Sequence, residues 1–313
     1  MKRILTITLN PTVDKSTCID KLVPEKKLRC ESPKFEPGGG GINVSRALSR
    51  LGFASEAFFP SGGRTGKLLQ ELLEHENIAH NSFEVNAGTR ENFIVVESST
   101  NQQFRFGMPG SEISTAEQAG MIAKISDLDP FPEIIVISGS LPPGMEPAFL
   151  KEIINVCKLR NALIVADTSG EALQQVVDLG VYLLKPNLGE LAKLVGLESL
   201  DNDAADDAAR ELISRGSAEV VVVSLGPQGA CLVTKDKSEY LPAPAVKKLS
   251  TVGAGDSMVA GMVSVLAKGG SFSEMVRMGV ACGSAATMNS GTQLFKTEDA
   301  MRLFEWLTRN VPA

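Results

Sequence analysis

The sequence predicts an α/β fold with a doubly wound, mostly parallel sheet flanked by helices, and a small β-sheet added outside it as a lid. Three observations predict this. Short β-branched runs recur with helical sequence between them, the rhythm of parallel strands buried on both faces. Several of these runs end in small or polar clusters, as chain does where it leaves the carboxyl edge of a sheet, and open α/β sheets bind ligands along that edge. Two stretches, roughly Pro11 to Phe35 and Thr89 to Phe106, break the rhythm.

The strand-like runs are Ile4 to Leu9, Ala57 to Phe59, Ile134 to Ile137, Leu163 to Ala166, Tyr182 to Leu184 and Val220 to Val223. SGS follows Ile137, DTSG follows Ala166, KPN follows Leu184 and SLG follows Val223, so four exits place polar groups at one edge. In the second aberrant stretch Phe93, Val95, Phe104 and Phe106 alternate as in a β-hairpin. Both stretches are charged on one side and apolar on the other, and read as a flap over the active site or against a second subunit. The expected division is therefore 1–10, 36–88 and 107–313 as the α/β core, with 11–35 and 89–106 as the added flap. The acidic, Ala-rich DNDAADDAARELISRG segment reads as a capped, solvated helix ending at Gly216.

A chain of 313 residues with 43% hydrophobic content can bury a large core. Its net charge of -6 and pI near 5.2 argue against nucleic acid or an anionic membrane as partner, since either needs a basic face. Five cysteines, Cys18, Cys30, Cys157, Cys231 and Cys282, lie far apart with no CxxC pair, the pattern of reduced and mostly buried thiols. His75 and His80 flank a turn-like polar stretch and are expected on the surface, so zinc sites and Ser-His-Asp chemistry lack their raw material. The apolar part of MKRILTITLN is too short for a signal peptide and no run approaches a membrane span, so a cytoplasmic protein is expected.

The strongest local feature is LSTVGAGDSMVAGMVSVLA, a glycine-rich turn at Gly253 to Gly255 feeding a helix that begins near Asp256. Successive backbone N–H groups and the helix dipole converge at such a junction and form an anion hole. Taken alone, Asp256 is equally well a plain N-terminal cap. The second feature is FEPGGGGINVSRALSRLG, where Gly38 to Gly41 precede an amphipathic helix and Asn43 offers an amide suited to sugar hydroxyls. The bland alternative is a flexible loop. Neither turn has the GxGxxG or GxxxxGK[ST] spacing, which sets aside a nicotinamide dehydrogenase and a P-loop enzyme.

Asp14 follows the first strand in NPTVD, where a carboxylate can hold sugar hydroxyls or simply form a turn. Lys27, Arg29, Arg90 and Arg105 all fall in the flap segments, as counter-charges for a phosphate or as a solvated strand face. In Lys185-Pro-Asn187-x-x-Glu190, Asn187 is an N-cap by default and Glu190, one turn on, can hold magnesium through water.

With GGGGIN near the N-terminus, NLGE at Asn187 to Glu190 and TVGAGDS at Thr251 to Ser257, the chain resembles the PfkB, or ribokinase-like, carbohydrate kinases over essentially its whole length. KLRC, FEPGGGGINV, VISGSLPPG, VKPN-like and VVVSLGPQGA runs bring it closest to the branch of minor bacterial 6-phosphofructokinases. The resemblance implies a ribokinase-like fold, ATP as co-substrate, and phosphorylation of fructose 6-phosphate to fructose 1,6-bisphosphate. It implies Asp256 as catalytic base and Gly253, Ala254 and Gly255 as donors to the transferring oxygens.

By the same carry-over Asp14, Gly39, Gly40 and Asn43 would bind the sugar, and Arg90, Lys27, Arg29, Arg105 and Ser140 would gather around its phosphate. Lys185, Asn187, Ser224, Gly226, Gly229 and Thr251 would line the ATP cleft, with Glu190 organising magnesium. A potassium site would map to Ser250, Val252, Ala286, Asn289 and Gly291, although Gln293 stands where an arginine is expected in close relatives. Relatives acting on fructose 1-phosphate or tagatose 6-phosphate tend to carry lysine at the position of Gly40, so glycine there points to fructose 6-phosphate. The family's lid doubles as a dimer interface, which implies a homodimer in which Lys27 and Arg29 reach the neighbouring subunit's sugar phosphate. Tagatose-6-phosphate kinase and 1-phosphofructokinase remain as alternatives, and a sugar-phosphate-responsive binding protein as the non-enzyme one.

Overall fold

The computed structural model describes residues 1–289 and 293–311. β1 (Ile4–Ile7) opens the main sheet, sending Leu5 and Ile7 to one face and Ile4 to the other. The chain then leaves for β2 (Thr12–Ile19) and β3 (Lys34–Gly38) of a separate sheet, and returns through α1 (Gly40–Arg50), β4 (Glu56–Ser61), α2 (Gly63–His75) and β5 (His80–Glu84). A second excursion, β6 (Arg90–Glu97) and β7 (Gln102–Phe106), completes the small sheet in the order β3-β2-β6-β7. β2 and β6 run parallel at its centre, with Asp14 opposite Asn92, while both outer pairs are antiparallel.

The rest of the core follows strand by helix: α3 (Thr115–Ser126), β8 (Ile134–Ser138), α4 (Ala148–Leu159), β9 (Leu163–Asp167), α5 (Gly170–Leu179), β10 (Val181–Leu184), α6 (Leu188–Leu194), α7 (Ala205–Ser214) and β11 (Ala218–Ser224). An antiparallel edge pair, β12 (Ala230–Thr234) and β13 (Ser238–Leu241), precedes three consecutive helices, α8 (Ala254–Lys268), α9 (Phe272–Thr287) and α10 (Thr297–Asn310). The main sheet reads β13-β12-β11-β10-β9-β8-β1-β4-β5, parallel from β11 through to β5. Strand order reverses at β1, and ligands of doubly wound sheets settle at the carboxyl edge of that reversal.

Two large cores cover the sheet, and a smaller one packs α2 on β4 through Ala57, Phe59, Leu69 and Leu73. α1, α8, α9 and α10 pack on one face through residues such as Val44, Leu48, Val259, Val263 and Leu303, and α3 to α7 on the other through Met121, Ile153, Val176 and Leu212. α8 is buried nearly all round, from Ser257 to Ala267, because α9 and the sheet enclose it on opposite sides. A helix so enclosed holds its first turn rigidly at the carboxyl edge.

Several expectations change. The small sheet extends through Gly38, so the lid strand runs past the boundary drawn at residue 36. The acidic helix α7 has no side-chain cap and is not simply solvated: Ala205, Ala208, Ala209 and Leu212 are buried while Asp207 stays exposed. His80 is not a surface residue either, because β5 lays its imidazole against Phe59 with ring centroids 5.7 Å apart. Cys30 is exposed, while Cys157, Cys231 and Cys282 are buried. Among the described residues no helix is long and apolar enough to cross a membrane.

Candidate active site

Gly253 sits at φ +71°, a left-handed conformation that glycine adopts without penalty, and turns the chain into α8. No side chain caps that helix. The Ala254 N–H is turned back to Thr251 O at 3.4 Å, while among the described residues the N–H groups of Gly255 and Asp256 meet no acceptor. Of the donors expected at Gly253, Ala254 and Gly255, Ala254 is thus weakly engaged, while the Gly253 N–H, like those of Gly255 and Asp256, meets no acceptor among the described residues. Unpaired first-turn amides and the helix dipole together favour a negative ligand here.

Asp256, in the same turn, is part-exposed to the cleft, and its Oδ2 accepts a hydrogen bond from Asn43 Nδ2 at 2.9 Å. Burial, with the Asp167 and Asp14 carboxylates adding to it, pushes the Asp256 pKa up to about 7; the Asn43 bond and Lys185 oppose that rise. A carboxyl tuned close to neutrality can take a proton from an alcohol as that oxygen attacks, and release it afterwards. Asn43 is itself held in place. Its Oδ1 accepts from Arg46 Nη1 at 3.3 Å, and the buried Arg46 is anchored to Glu76 through Nε at 2.7 Å and Nη2 at 2.6 Å and to Pro37 O at 3.0 Å. With its oxygen thus engaged, the Asn43 amide can present only its NH2 to Asp256.

α1 starts in the glycine run, two residues earlier than its apolar pattern indicates. Gly39 has φ +116° and its added Cβ would lie 2.6 Å from Thr8 Cγ2. A Cβ on Gly40 would lie 2.3 Å from Ser138 Oγ and 2.6 Å from Gly139 N, so α1 can approach β1 and β8 only without side chains here. Thr8 Oγ1 accepts the Ile42 N–H at 2.9 Å, capping the helix from the end of β1.

On the lid side of the cleft Asp14 is buried, and its Oδ1 accepts from Asn92 Nδ2 at 2.9 Å. Burial raises the Asp14 pKa, and Asn92, Arg105 and Arg90 counter it. Arg90 donates from Nη1 to Met108 O at 2.6 Å and from Nη2 to Asn10 O at 2.9 Å, and its buried Nε has no partner among the described residues. Asn10 in turn donates to Ser140 Oγ at 3.3 Å. Gly39, Gly40 and Asn43 lie at the start of α1, while Asp14, Arg90, Arg105 and Ser140 join in one set of contacts, in which both arginine charges act on Asp14 and Asn10 links Arg90 to Ser140. Lys27 and Arg29 do not join it: both are exposed in the β2–β3 connection and bond to no site residue of their own chain among those described.

On the other side, Lys185 is 5% exposed and its Nζ lies 3.0 Å from Asp167 Oδ1. Burial by itself would lower the Lys185 pKa; Asp167, with Glu190 and Asp256 beyond it, outweighs that and leaves it raised. A Cβ on Gly255 would meet Lys185 Nζ at 3.7 Å and Asp167 Oδ2 at 3.9 Å, so this ion pair underlies the start of α8. Asn187 caps α6, accepting from Glu190 N at 2.9 Å and donating its own N–H to Glu190 Oε2 at 2.8 Å. Glu190 Oε1 stays without a partner among the described residues. Ser224 bridges to Asn187, and Gly226 (φ +59°) and Gly229 (φ +105°) shape the turn into β12.

Thr251 is exposed in the turn ahead of α8. The N–H groups of Leu249 and Ser250 both donate to Thr287 O, at 2.8 and 3.2 Å, which brings Ser250 and Val252 to the end of α9 where Ala286 and Asn289 lie. Gly291 falls outside the described residues. Backbone and hydroxyl oxygens are the donors a hard cation takes, so this corner fits potassium, and Glu190 Oε1 fits water-mediated magnesium.

Asp167, Arg46, Asn92 and Gln103 were not singled out by the sequence. For Asp167 the signal was present, as the first residue of DTSG after a strand. Arg46 reads as an ordinary helix arginine. Gln103 of β7 reaches Ser250 Oγ at 3.4 Å across 147 residues, a contact no local pattern announces.

The pattern of the pfkB family carbohydrate kinases matches residues 4–299. ATP-dependent 6-phosphofructokinase isozyme 2 of Escherichia coli is 44% identical to this chain, covering 99% of it and 100% of that protein. The 1-phosphofructokinase of Bacillus subtilis is 34% identical, covering 93% of this chain and 95% of that protein. Crystal structures of phosphofructokinase-2 from E. coli superpose with TM-scores of 0.94 in complex with potassium (43% identity) and 0.93 in complex with fructose-6-phosphate (42%), each covering 99% of this chain and 100% of the other. A tetrameric inhibited form of that protein gives 0.92 at 42% identity, with the same coverage.

Proposed function

This chain belongs to the pfkB family of carbohydrate kinases, and from that premise we propose that it transfers the γ-phosphoryl group of ATP to the carbon-1 hydroxyl of fructose 6-phosphate. One observation carries the reading: the Asn43–Asp256 hydrogen bond of 2.9 Å brings two glycine-rich helix starts, 213 residues apart, to a single spot. Asp14 and Asn43 orient the sugar, and Arg90, Arg105 and Ser140 hold its phosphate. Asp256 accepts the proton of the attacking hydroxyl as the new P–O bond forms and the bond to the β-phosphate oxygen breaks, releasing ADP. The open amides at the start of α8 face the charge on the transferring oxygens.

Lys185, Asn187, Ser224, Gly226, Gly229 and Thr251 border the nucleotide. Magnesium, held through water by Glu190, supplies charge neutralisation on the nucleotide's phosphates when bound. Ser250, Val252, Ala286 and Asn289 would hold potassium, which would order the loop that leads into α8. The reading takes fructose 6-phosphate and not fructose 1-phosphate as acceptor, on the support that the chain is 44% identical to the E. coli 6-phosphofructokinase and 34% to the B. subtilis 1-phosphofructokinase.

The assembly is a homodimer through the lid. The lid's outer face is an apolar groove of about 440 Å³ lined by residues including Ile19, Leu28, Phe93, Val95, Phe106 and Met108, with Phe106 and Met108 each 46% exposed. A face of that kind is covered by a second copy in solution, and Lys27 and Arg29 on the adjoining connection are then available to the partner's sugar phosphate. Residence in the cytoplasm goes with ATP as donor.

The test is ADP release with a panel of fructose 6-phosphate, tagatose 6-phosphate and fructose 1-phosphate, with magnesium and with or without potassium. Fructose 6-phosphate giving the highest kcat/KM supports the proposal. ADP release with none of the three overturns it.

A further inference from the structure

Asn92 belongs to neither glycine turn and carries no charge, yet it occupies a junction between the lid and the sugar pocket. It stands directly opposite Asp14 in the parallel pairing of β2 and β6. Its Nδ2 donates to Asp14 Oδ1 at 2.9 Å, while its Oδ1 accepts the N–H of Met108 at 3.1 Å. The other side of the Met108 residue is held as well, since Arg90, two positions earlier on the same strand face, donates to Met108 O at 2.6 Å. Two side chains of β6 therefore grip the chain where it leaves β7, and each also touches the sugar pocket, Arg90 through Asn10 O and Asn92 through Asp14.

Asp14 cannot turn freely. One oxygen is fixed by Asn92, and the other is left open by the missing side chain of Gly38, where a Cβ would lie only 2.6 Å from Oδ2. With the amide oxygen engaged by Met108, the Asn92 amide must offer its NH2 to Asp14 and not its carbonyl. We propose that Asn92 is a positioning residue for the sugar substrate: it fixes the Asp14 carboxylate with Oδ2 free to accept a sugar hydroxyl, and makes that arrangement depend on the Met108 segment being docked on the lid. The same bond lowers the cost of keeping a buried carboxylate ionised, which an incoming hydroxyl donor requires.

This rests on the sugar-phosphate reading above, and the test separates the two. The wild-type enzyme is assayed first with the three sugar phosphates, and the best acceptor is used throughout. Asn92→Asp keeps shape and keeps an acceptor for Met108 N–H, but replaces the donor to Asp14 by a second carboxylate. The expected result at about pH 8.5 is a sugar KM raised about tenfold, with the ATP KM within about twofold of wild type. As pH falls toward about 6, a proton shared between the two carboxylates restores a donor, so the variant-to-wild-type ratio of sugar KM shrinks to about threefold.

Asn92→Ala cannot be rescued by a proton, and its sugar KM ratio stays raised across the same range. A merely structural role would lower thermal stability and leave the KM ratios flat in pH. The inference is overturned by a sugar KM within about twofold of wild type in Asn92→Asp at about pH 8.5, or by a ratio in that variant that does not change with pH. Should Asn92→Asp fail to fold, Asn92→Ser, too short to span to Asp14, must raise the sugar KM without raising that of ATP, and equal effects on both overturn the inference.

Discussion

α1 and α8 both begin on glycine-rich turns, yet glycine serves opposite ends in the two. At the start of α1 the missing side chains let the helix touch its own protein: Cβ atoms on Gly39, Gly40 and Gly41 would lie 2.6, 2.3 and 2.7 Å from Thr8 and Ser138 atoms. At the start of α8 a Cβ on Gly253 would lie 2.8 Å from Leu294 Cδ2, but one position into the helix the space is open. Gly255 is exposed, and a Cβ there would find its nearest neighbour at 3.7 Å, ordinary contact. One helix is glycine-rich so that it can pack, the other so that something else can approach. A sequence shows the same letters in both places, and only packing separates them.

The comparison is broken most directly at Asp256. If α8 carries the chemistry, Asp256→Asn lowers kcat by about 10³-fold while the KM values for ATP and sugar stay near wild type, because the loss falls on proton removal. A steady-state assay showing kcat within tenfold of wild type would remove Asp256 from the base role. Next in size is Gly255→Ala. The added methyl meets no protein atom closer than 3.7 Å, so Tm stays within a degree or two, while kcat falls by roughly 10²-fold as the methyl intrudes on the phosphoryl oxygens. Unchanged turnover would mean that no ligand comes close to this turn.

How much of this was legible in the sequence follows the same division. The parallel strands could be read because β-branched runs alternate with helices, and the failures lie at the sheet's rims. β5 is the polar HNSFE on an edge, and β12 and β13 form an antiparallel pair with no helix between them, outside the strand–helix rhythm. Asp256, Asn43 and Asp14 were legible because each follows a turn at the carboxyl edge. Arg46 was not, since its partner Glu76 sits 30 residues on and an arginine within an amphipathic helix looks solvated. Asp167 was passed over because its role comes from lying beneath Gly255, a relation between two crossovers. His80 misled because polar neighbours in sequence say nothing of Phe59 on the adjacent strand.

The α1 half of the comparison makes the mirror-image prediction. Gly40→Ala drives a methyl into Ser138 and into the Gly139 backbone, neither of which is the movable end of a long side chain. Overpacking of this kind costs about 1–3 kcal/mol. Calorimetry should show Tm lowered by about 5 °C, against no change for Gly255→Ala. If both variants melt with the wild type, α1 has room that the packing does not show, and the contrast between the two turns fails.

The smallest effect sharpens the contrast from the side of stability. Asp256 has its pKa raised from 3.8 to about 7 by burial first and by Asp167 next. A raised folded pKa means that the protonated acid favours the folded state, a contribution fully present below pH 3.8 and lost as pH rises through about 7. Asp256→Asn keeps the shape and does not titrate. The variant should therefore melt close to the wild type near pH 4, then progressively above it by up to a few degrees near pH 8, even as its turnover is lost. A destabilisation at the packed α1 turn involves no titrating group and must be the same at both pH values. A Tm difference for Asp256→Asn that stays constant from pH 4 to 8 would show that the carboxylate is comfortable where it lies, and that the start of α8 is not held in a charged state against its own folding.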